Sequence, residues 1–341
     1  MVEIRLIKAR LLLGFFILLG IAGCSRSLTE ISLSGHTMGT TYSIKIVTGK
    51  KIDSEIIQQD IDSILININR QMSTYILGSE INQFNAYLGT IPFQISPEFY
   101  QVVKRAFHWT HLTNGAFDIT ILPLTTAWGF GPRGIASYPT NLEIQSAIRR
   151  SGYEQLVLHL SCIQKLNPNV QLDVNAIAKG FGVDVIASYL TEKDISNYMV
   201  EIGGEVYCSG VNSHGSVWNI GIESPHKTNR SLLGIVDLDN QAIATSGDYR
   251  NFHKSDERII SHVIDPRNGE PVTTVPSASV ITDNCMDADA LATALMVMGR
   301  VDGLNLIESL DGTEALMVIR NDDGSLEEVT SSGFKFINDQ E

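Results

Sequence analysis

Cysteine is scarce in this chain, and none of its four cysteines stands in a Cys-x-x-Cys pair. This pattern argues against a zinc site or a disulfide framework, although one disulfide bridge among Cys162, Cys208 and Cys285 stays possible. Internal repeats and low-complexity segments are also absent from the sequence. The 341 residues are enough to bury a substantial core in one large domain or two modest ones.

Positive charge is in short supply as well. The chain has 25 Lys and Arg residues against 38 Asp and Glu residues, a formal net charge of −13. Nucleic acid is therefore not expected as a partner. An acidic protein that handles phosphates needs a bound cation and backbone N–H groups to screen them, because its overall field repels anions.

A long apolar run is found at the N-terminus, where three basic residues precede residues 11–22. The run is too short to span a membrane comfortably and is typical of the hydrophobic region of a signal peptide. It closes with Ile21-Ala22-Gly23-Cys24, which looks like a bacterial lipobox. We predict a lipoprotein signal peptide at 1–23, lipidation of Cys24, a polar tether at 24–34 and one domain at 35–341. An ordinary signal peptide cleaved nearby is the alternative.

Local signals indicate a mixture of helices and strands. Asp53 caps a helix with an apolar stripe, Ser96 and Pro97 begin another, and a capping box from Thr140 to Glu143 begins a third. After residue 154, short strand-like runs dominate, including 170–174, with one helix over about 176–190. Because strands and helices do not alternate regularly, we predict an α+β fold of layered, mixed or antiparallel sheets with packed helices.

Asp289 and Thr293 stand four residues apart on a predicted helix, so that their oxygens share one helix face. Oxygen ligands without nearby Cys or His pairs favour Mg²⁺ or Ca²⁺ over zinc. Magnesium usually takes few protein oxygens and completes its shell with water and substrate phosphate. The alternative is an acidic first helical turn that stabilises the helix dipole, with an ordinary exposed threonine.

Two glycine-rich segments could bring backbone close to a ligand. The first, residues 115–120, follows a predicted helix, and the second, residues 128–132, adds aromatic rings that could stack on a planar group. By local pattern alone, the favoured alternative is a helix C-cap followed by a turn. Asn175 and Lys179 lie where a predicted strand runs into a helix, a place suited to a diphosphate, or else they are an N-cap and a solvated lysine.

Two further positions have a functional and a structural interpretation. The pair Gly203-Gly204 joins two predicted strands and is either a tight turn or a ligand contact. His262 precedes a turn-forming Asp-Pro and could act as a base or a nucleophile near neutral pH. A single histidine is also often structural.

Taken together and in order, these segments resemble the ApbE family, the FAD:protein FMN transferases, which are bacterial periplasmic lipoproteins. The resemblance covers about residues 36–299. It rests on ten short motifs: M-G-T-T-Y at 38–42, M-S-T-Y at 72–75, S-E-I-N at 79–82, G-A-F-D-I-T at 115–120, W-G-F-G-P at 128–132, A-I-A-K-G at 176–180, E-I-G-G-E at 201–205, S-G-D-Y-R at 246–250, S-H-V-I-D-P at 261–266 and A-D-A-L-A-T-A-L at 288–295.

The resemblance implies that the chain binds FAD with Mg²⁺, transfers FMN to a threonine hydroxyl of an exported flavoprotein and releases AMP. It implies acceptors such as subunits of membrane redox pumps, and a lipid-anchored location on the periplasmic side of the membrane. It also implies roles for particular residues: a magnesium site of the Ala176 carbonyl, Asp289 and Thr293, a catalytic His262, and flavin contacts from Met38, Tyr75, Ala116, Phe117, Asp118, Lys179 and the backbone around Ile264.

Two other functions use the same residues differently. An Mg²⁺-dependent FAD pyrophosphatase would let water replace the threonine and give free FMN and AMP. A lipid-tethered flavin-binding protein would hold FAD without turnover, and His262 would then be dispensable. The sequence leaves these open, along with the choice between His262 as base and as nucleophile.

Overall fold

The computed structural model describes residues 28–131, 138–225, 231–248, 252–255 and 258–337. The predicted signal peptide and Cys24 lie outside the described residues. The predicted tether at 24–34 is wrong in its second half, because residues 29–34 belong to the first strand, β1 (Thr29–Thr37). That strand pairs along its whole length with β2 (Thr40–Thr48), so these residues are part of the folded domain.

The described residues form a large set of strands and seven α-helices. The other strands are β3 (Phe93–Gln94), β4 (Leu156–His159), β5 (Cys162–Lys165), β6 (Tyr198–Ile202), β7 (Glu205–Ser209), β8 (Trp218–Glu223), β9 (Leu232–Leu238), β10 (Ala242–Gly247), β11 (Phe252–Ser255), β12 (Arg258–Ser261), β13 (Ser277–Thr282), β14 (Glu314–Arg320) and β15 (Leu326–Thr330). The α-helices are α1 (Ser54–Met72), α2 (Glu80–Ala86), α3 (Pro97–Leu112), α4 (Leu122–Ala127), α5 (Asn141–Ile148), α6 (Ala178–Glu192) and α7 (Cys285–Glu308).

A central antiparallel sheet of eight strands organises the fold, in the order β1-β2-β6-β7-β10-β13-β14-β15. Helices α6 and α7 pack beside each other on one face of this sheet. The β8–β9 hairpin covers part of the other face, where Trp218 and Val236 meet Val206 and Ile243 of the sheet. Beyond the two helices lies a further layer, in which α3 and the small sheet β3-β5-β4 share a core. The predicted α+β class is confirmed.

The predicted helix starts follow from local hydrogen bonds. The Asp53 carboxylate accepts the N–H groups of Glu55 and Ile56 at 3.1 and 3.2 Å. Thr140 and Glu143 form the expected capping box at the start of α5. Such side-chain caps satisfy backbone N–H groups that no helical carbonyl can reach.

The predicted strand at 170–174 is not a strand. Its alternate residues, Val170, Leu172 and Val174, are fully buried, which explains the strand-like pattern. The side chain of Asn85, however, both accepts the Leu172 N–H at 2.6 Å and donates to the Leu172 carbonyl at 2.9 Å. An asparagine thus takes the hydrogen bonds that a neighbouring strand would otherwise supply.

Helix α7 is long and apolar enough to cross a membrane, but half of its most apolar window is buried within the protein. It packs on β10, β13 and β14 and is a core helix. At Gly299 the backbone adopts φ 75° and ψ −174°, which interrupts the helix. The portion before this bend carries Asp289 and Thr293.

Candidate active site

A cavity of about 510 Å³ opens beside the central sheet. Its wall is built from the turn between β6 and β7, the ends of β8 and β10, the segment leading into α6, the middle of α7, and the loop after β12. The volume lies within the range of roughly 300–1,000 Å³ that is usual for small-molecule sites. Separate parts of the chain therefore converge on one place large enough for a ligand.

The start of α7 is held firmly, which sets the positions of Asp289 and Thr293 about one and two turns further on. The Asp184 carboxylate accepts the N–H groups of Cys285 and Met286 at 2.8 and 2.9 Å, and the Asn284 side chain accepts that of Asp287 at 2.9 Å. Burial raises the pKa of Asp184 to about 7, although the two backbone N–H groups favour its charged form.

Asp287 ties the same helix to α3. Its carboxylate accepts hydrogen bonds from the guanidinium of Arg105 and, at 2.7 Å, from the indole N–H of Trp109. Because the carboxylate is almost fully buried, both partners are needed to offset its desolvation. The helix that carries Asp289 and Thr293 is thus anchored from two sides.

Asp289 is buried and sits at the cavity wall. Its Oδ2 accepts the N–H of Gly180 at 3.0 Å, and its Oδ1 lies 3.2 Å from Nζ of Lys179. The same ammonium lies 3.1 Å from Oε1 of Glu205, a buried residue at the start of β7. Burial alone would lower the pKa of Lys179, but the two carboxylates outweigh it and raise that pKa.

Sequence reasoning missed Glu205. Burial raises the pKa of its carboxyl to about 8, against the opposing effect of Lys179. Within the described part of the chain, Oε2 of this residue is buried and has no hydrogen-bond partner. Alternation along β7 places the apolar Val206 and Cys208 on one face and Glu205 on the other, so the local pattern gives no signal that this glutamate is buried.

Thr293, one helical turn after Asp289, also reaches the cavity. Its hydroxyl lies 2.8 Å from Oγ of Ser246 at the end of β10. When Ser246 accepts the threonine proton, the lone pairs of Thr293 are directed elsewhere and can serve a cation. Ser246, which no sequence-based site prediction includes, thereby orients the predicted metal ligand.

The segment containing Ala116, Phe117 and Asp118 lines another part of the wall. Oδ1 of Asp118 accepts both the N–H and the hydroxyl of Thr120 at 2.8 Å, and its Oδ2 accepts the N–H of Tyr153 at 3.0 Å. Burial raises the pKa of Asp118 against these hydrogen bonds. Because protein donors occupy both oxygens of its carboxylate, Asp118 holds this loop in shape.

His262 and Ile264 follow β12 and also line the cavity. The half-buried His262 ring lies 6.3 Å from the Phe130 ring, centroid to centroid, at an angle of 66°. Trp128 fixes the loop from behind, because its indole N–H donates to the Gly269 carbonyl at 2.7 Å. The two aromatics of the 128–132 segment therefore differ in role: Trp128 is buried support and Phe130 is part of the cavity wall.

Nine of the predicted site residues line this cavity: Ala116, Phe117, Asp118, Ala176, Lys179, His262, Ile264, Asp289 and Thr293. Met38 and Tyr75 do not line it. Met38 lies in the β1–β2 turn with φ 49° and packs against the core. Tyr75, shortly after the end of α1, is 66% exposed. Their roles as flavin contacts stay predictions.

Ala176, Asp289 and Thr293 line the same cavity, and a carbonyl, a carboxylate and a hydroxyl are oxygen groups suited to a hard cation. No group of three His, Cys, Asp or Glu side chains that could hold a metal occurs in the ranges the structure describes. A set with one carboxylate leaves coordination positions for water and phosphate, which is usual for Mg²⁺ and unusual for zinc. Glu205, whose Oε2 is buried without a hydrogen-bond partner among the described residues, adds a further carboxyl oxygen to the same wall.

Fold and cavity define a class: an α+β protein in which a central antiparallel sheet and two core helices build an oxygen-rich, small-molecule site. Residues 38–317 match the model of the ApbE family, and the chain belongs to that family.

Relatives and solved structures agree with this assignment. The chain is 43% identical over 321 residues to a FAD:protein FMN transferase of Vibrio cholerae, covering 93% of this chain and 96% of the relative. It is 36% identical to a FAD:protein FMN transferase of Haemophilus influenzae, with 93% and 94% covered. The structure of the flavin transferase ApbE from Vibrio cholerae superposes with a TM-score of 0.83 at 41% identity, over 91% of this chain and 100% of that one.

Proposed function

We propose that this chain transfers the FMN part of FAD to a threonine hydroxyl of an exported flavoprotein, with Mg²⁺, and releases AMP. One observation carries the proposal: nine residues implied by the family resemblance, from distant parts of the chain, line a single cavity. The names of the relatives support flavin transfer from FAD to protein. Acceptors would include subunits of membrane redox pumps.

The residues at the wall suit magnesium and a diphosphate. The Ala176 carbonyl, the Asp289 carboxylate and the Thr293 hydroxyl would hold Mg²⁺, which supplies charge neutralisation to the diphosphate in an otherwise acidic protein. At the start of α6, the N–H groups of Ile177 and Ala178 donate to the Val174 carbonyl and that of Gly180 donates to Asp289, so the cation and the lysine carry most of this role. Lys179 adds the one ammonium group among the described residues that line the cavity.

His262 would assist the acceptor. In the transfer, the threonine oxygen forms a bond to the FMN phosphorus, the phosphorus–oxygen bond to AMP breaks, and the hydroxyl proton passes to the imidazole. General-base help of this kind typically contributes about 10²–10⁴ in rate. Attack by His262 itself on the phosphorus, followed by transfer to threonine, is the alternative order of the same bond changes.

The test uses a soluble chain that begins after Cys24, incubated with FAD, Mg²⁺ and an exported flavoprotein carrying an acceptor threonine. Intact mass should show the target gaining FMN, and the gain should disappear with EDTA, with Asp289→Ala and with His262→Ala. Free FMN and AMP without a target adduct would instead identify a pyrophosphatase. Intact FAD bound to the chain would identify a flavin-storage protein.

We also propose that the chain is anchored by a lipid on Cys24 at the periplasmic side of the membrane. The support is the leader sequence, in which a basic start and a short apolar run end in Gly23-Cys24. Expression of full-length protein with a labelled fatty acid should give a labelled membrane-bound chain. Label retained by Cys24→Ser would contradict the assignment.

A further inference from the structure

Lys179 occupies an unusual position for a residue of an anion site. Its ammonium lies 3.2 Å from Oδ1 of Asp289 and 3.1 Å from Oε1 of Glu205. It therefore contacts the one carboxylate that the proposed magnesium site depends on. A divalent cation bound to Asp289 would share an oxygen with this ammonium, and two positive charges so close repel each other strongly.

Glu205 has the means to relieve that repulsion. Its Oε1 already holds the ammonium, and its Oε2 is buried without a hydrogen-bond partner in the described chain. A buried carboxylate oxygen without a partner is costly, so an ammonium that moved fully onto Glu205 would gain contacts there. The flexible four-carbon stem of lysine allows such a shift without movement of the backbone.

We propose that Glu205 is a positioning residue for the metal site: it withdraws Lys179 from Asp289 when a divalent cation binds there. Lys179 and the cation compete for Asp289, and Glu205 decides how strongly the lysine competes. The inference rests on the proposed function, because it takes Asp289 as a cation ligand. It adds a role for two residues that the donor set itself does not include.

The backbone around this pair supports a shift of the side chain alone. Gly180, next in the chain to Lys179, donates its N–H to Oδ2 of Asp289 at 3.0 Å. This hydrogen bond keeps the carboxylate in place whichever cation lies on Oδ1. The exchange thus involves one lysine side chain between two fixed carboxylates.

The two variants should change cation affinity in opposite directions. Lys179→Met removes the competitor and should tighten binding about tenfold or more, since a unit charge within about 4 Å is worth more than that factor at a partly buried site. Glu205→Gln leaves the lysine with Asp289 alone and should weaken binding about tenfold. Mn²⁺ serves as the probe, measured by electron paramagnetic resonance on the soluble chain without FAD, so that the readout is independent of turnover.

A double-mutant cycle separates this role from simple attraction of the cation by the charge of Glu205. If Glu205 acts through the lysine, Glu205→Gln should cost little in the Lys179→Met background. An equal cost in both backgrounds would overturn the proposal. Glu201→Gln is the matched control, because Glu201 is another carboxylate of the same cavity wall. Its Oε1 accepts the Gly204 N–H at 2.8 Å.

Folding of the variants is checked by thermal unfolding, because Lys179→Met leaves two buried carboxylates without their cation. If that variant does not fold, the Lys179→Met/Glu205→Gln double variant, which removes one charge of each sign, takes its place. It should bind Mn²⁺ more tightly than the wild type, and equal or weaker binding would overturn the proposal. Wild-type protein that fails to bind Mn²⁺ would overturn the proposed metal site as well. Binding that is lost in Asp289→Asn but unchanged in Lys179→Met and Glu205→Gln would support the metal site and overturn the positioning role of Glu205.

Discussion

Replacement of Gly180 by alanine tests how closely α6 and α7 must approach to form the site. A Cβ atom at Gly180 would lie 2.2 Å from the carbonyl oxygen of Cys285 and 2.8 Å from Cα of Met286. Both are backbone atoms at the start of α7, which cannot rotate away as a side chain can. An ordinary contact needs about 3.4 Å, so the two helices must separate by roughly 1.2 Å.

The energetic balance of Gly180→Ala should be unfavourable. Overpacking of a close helix contact typically costs about 1–3 kcal/mol, and the strain here falls on backbone that Asp184 also holds. Alanine recovers about 1 kcal/mol through its helix preference. We expect a net loss of up to about 2 kcal/mol in unfolding free energy, seen as a fall of up to a few degrees in the melting temperature.

Function should suffer more than stability, because the N–H of Gly180 bonds the Asp289 carboxylate at 3.0 Å. A shift of about 1 Å in a positioned group can cost about 100-fold in rate. We therefore expect flavin transfer to the target protein to fall at least tenfold, with Mn²⁺ binding weakened in parallel.

Gly182→Ala is the matched control on the same helix. Its Cβ would meet the ends of two side chains, Cε of Met38 at 3.0 Å and Cδ1 of Ile202 at 3.3 Å, which can adjust. This variant should keep the stability and activity of the wild type. If Gly180→Ala behaved the same way, the close backbone contact would not be what positions Asp289.

Three further changes test other parts of the fold. Burial lowers the pKa of Lys165 to about 8, so burying its charged form destabilises the fold below pH 8, and this penalty is relieved as the pH rises towards 10.5. The unfolding free energy should therefore increase by up to about 3 kcal/mol between pH 8 and 10.5. Denaturant titrations should show this increase in the wild type and not in Lys165→Met. Asp118→Asn turns an amide NH₂ towards N–H donors and should cost about 1–3 kcal/mol; unchanged denaturant stability would contradict the loop-holding role. In the soluble chain begun after residue 24, a maleimide should label the partly exposed thiol of Cys162. Cys208 and Cys285 should stay unlabelled until the protein unfolds, because burial raises the pKa of both thiols. Fast labelling of either thiol in the folded protein would contradict its burial.

Helix starts were readable from the sequence because they depend on neighbours in the chain. Asp53 and Thr140 satisfy backbone N–H groups two or three residues away, so residue type and spacing carry the whole signal. The i, i+4 spacing of Asp289 and Thr293 placed both on one face of a helix for the same reason.

Alternation of apolar and polar residues was a weaker guide to which segments form strands. Residues 170–174 alternate as a strand does, yet the side chain of Asn85 supplies the hydrogen bonds of Leu172. The predicted tether is also too long. Ile31 and Leu33 alternate with polar residues as in a strand, but nothing in residues 29–34 shows that they pair with β2. In both cases the partner lies far away or in another element, where local periodicity carries no information.

The chain's own pattern of residues was enough to decide its family, its α+β class and most of the groups that face the cavity, because those motifs are short and contiguous. Tertiary structure alone decided the order of the eight strands and the meeting of Lys179, Glu205 and Asp289. These three residues come from α6, β7 and α7, and only the packing of two helices on one face of the sheet brings their charges together. Contacts of that kind depend on long-range geometry, which no local spacing encodes.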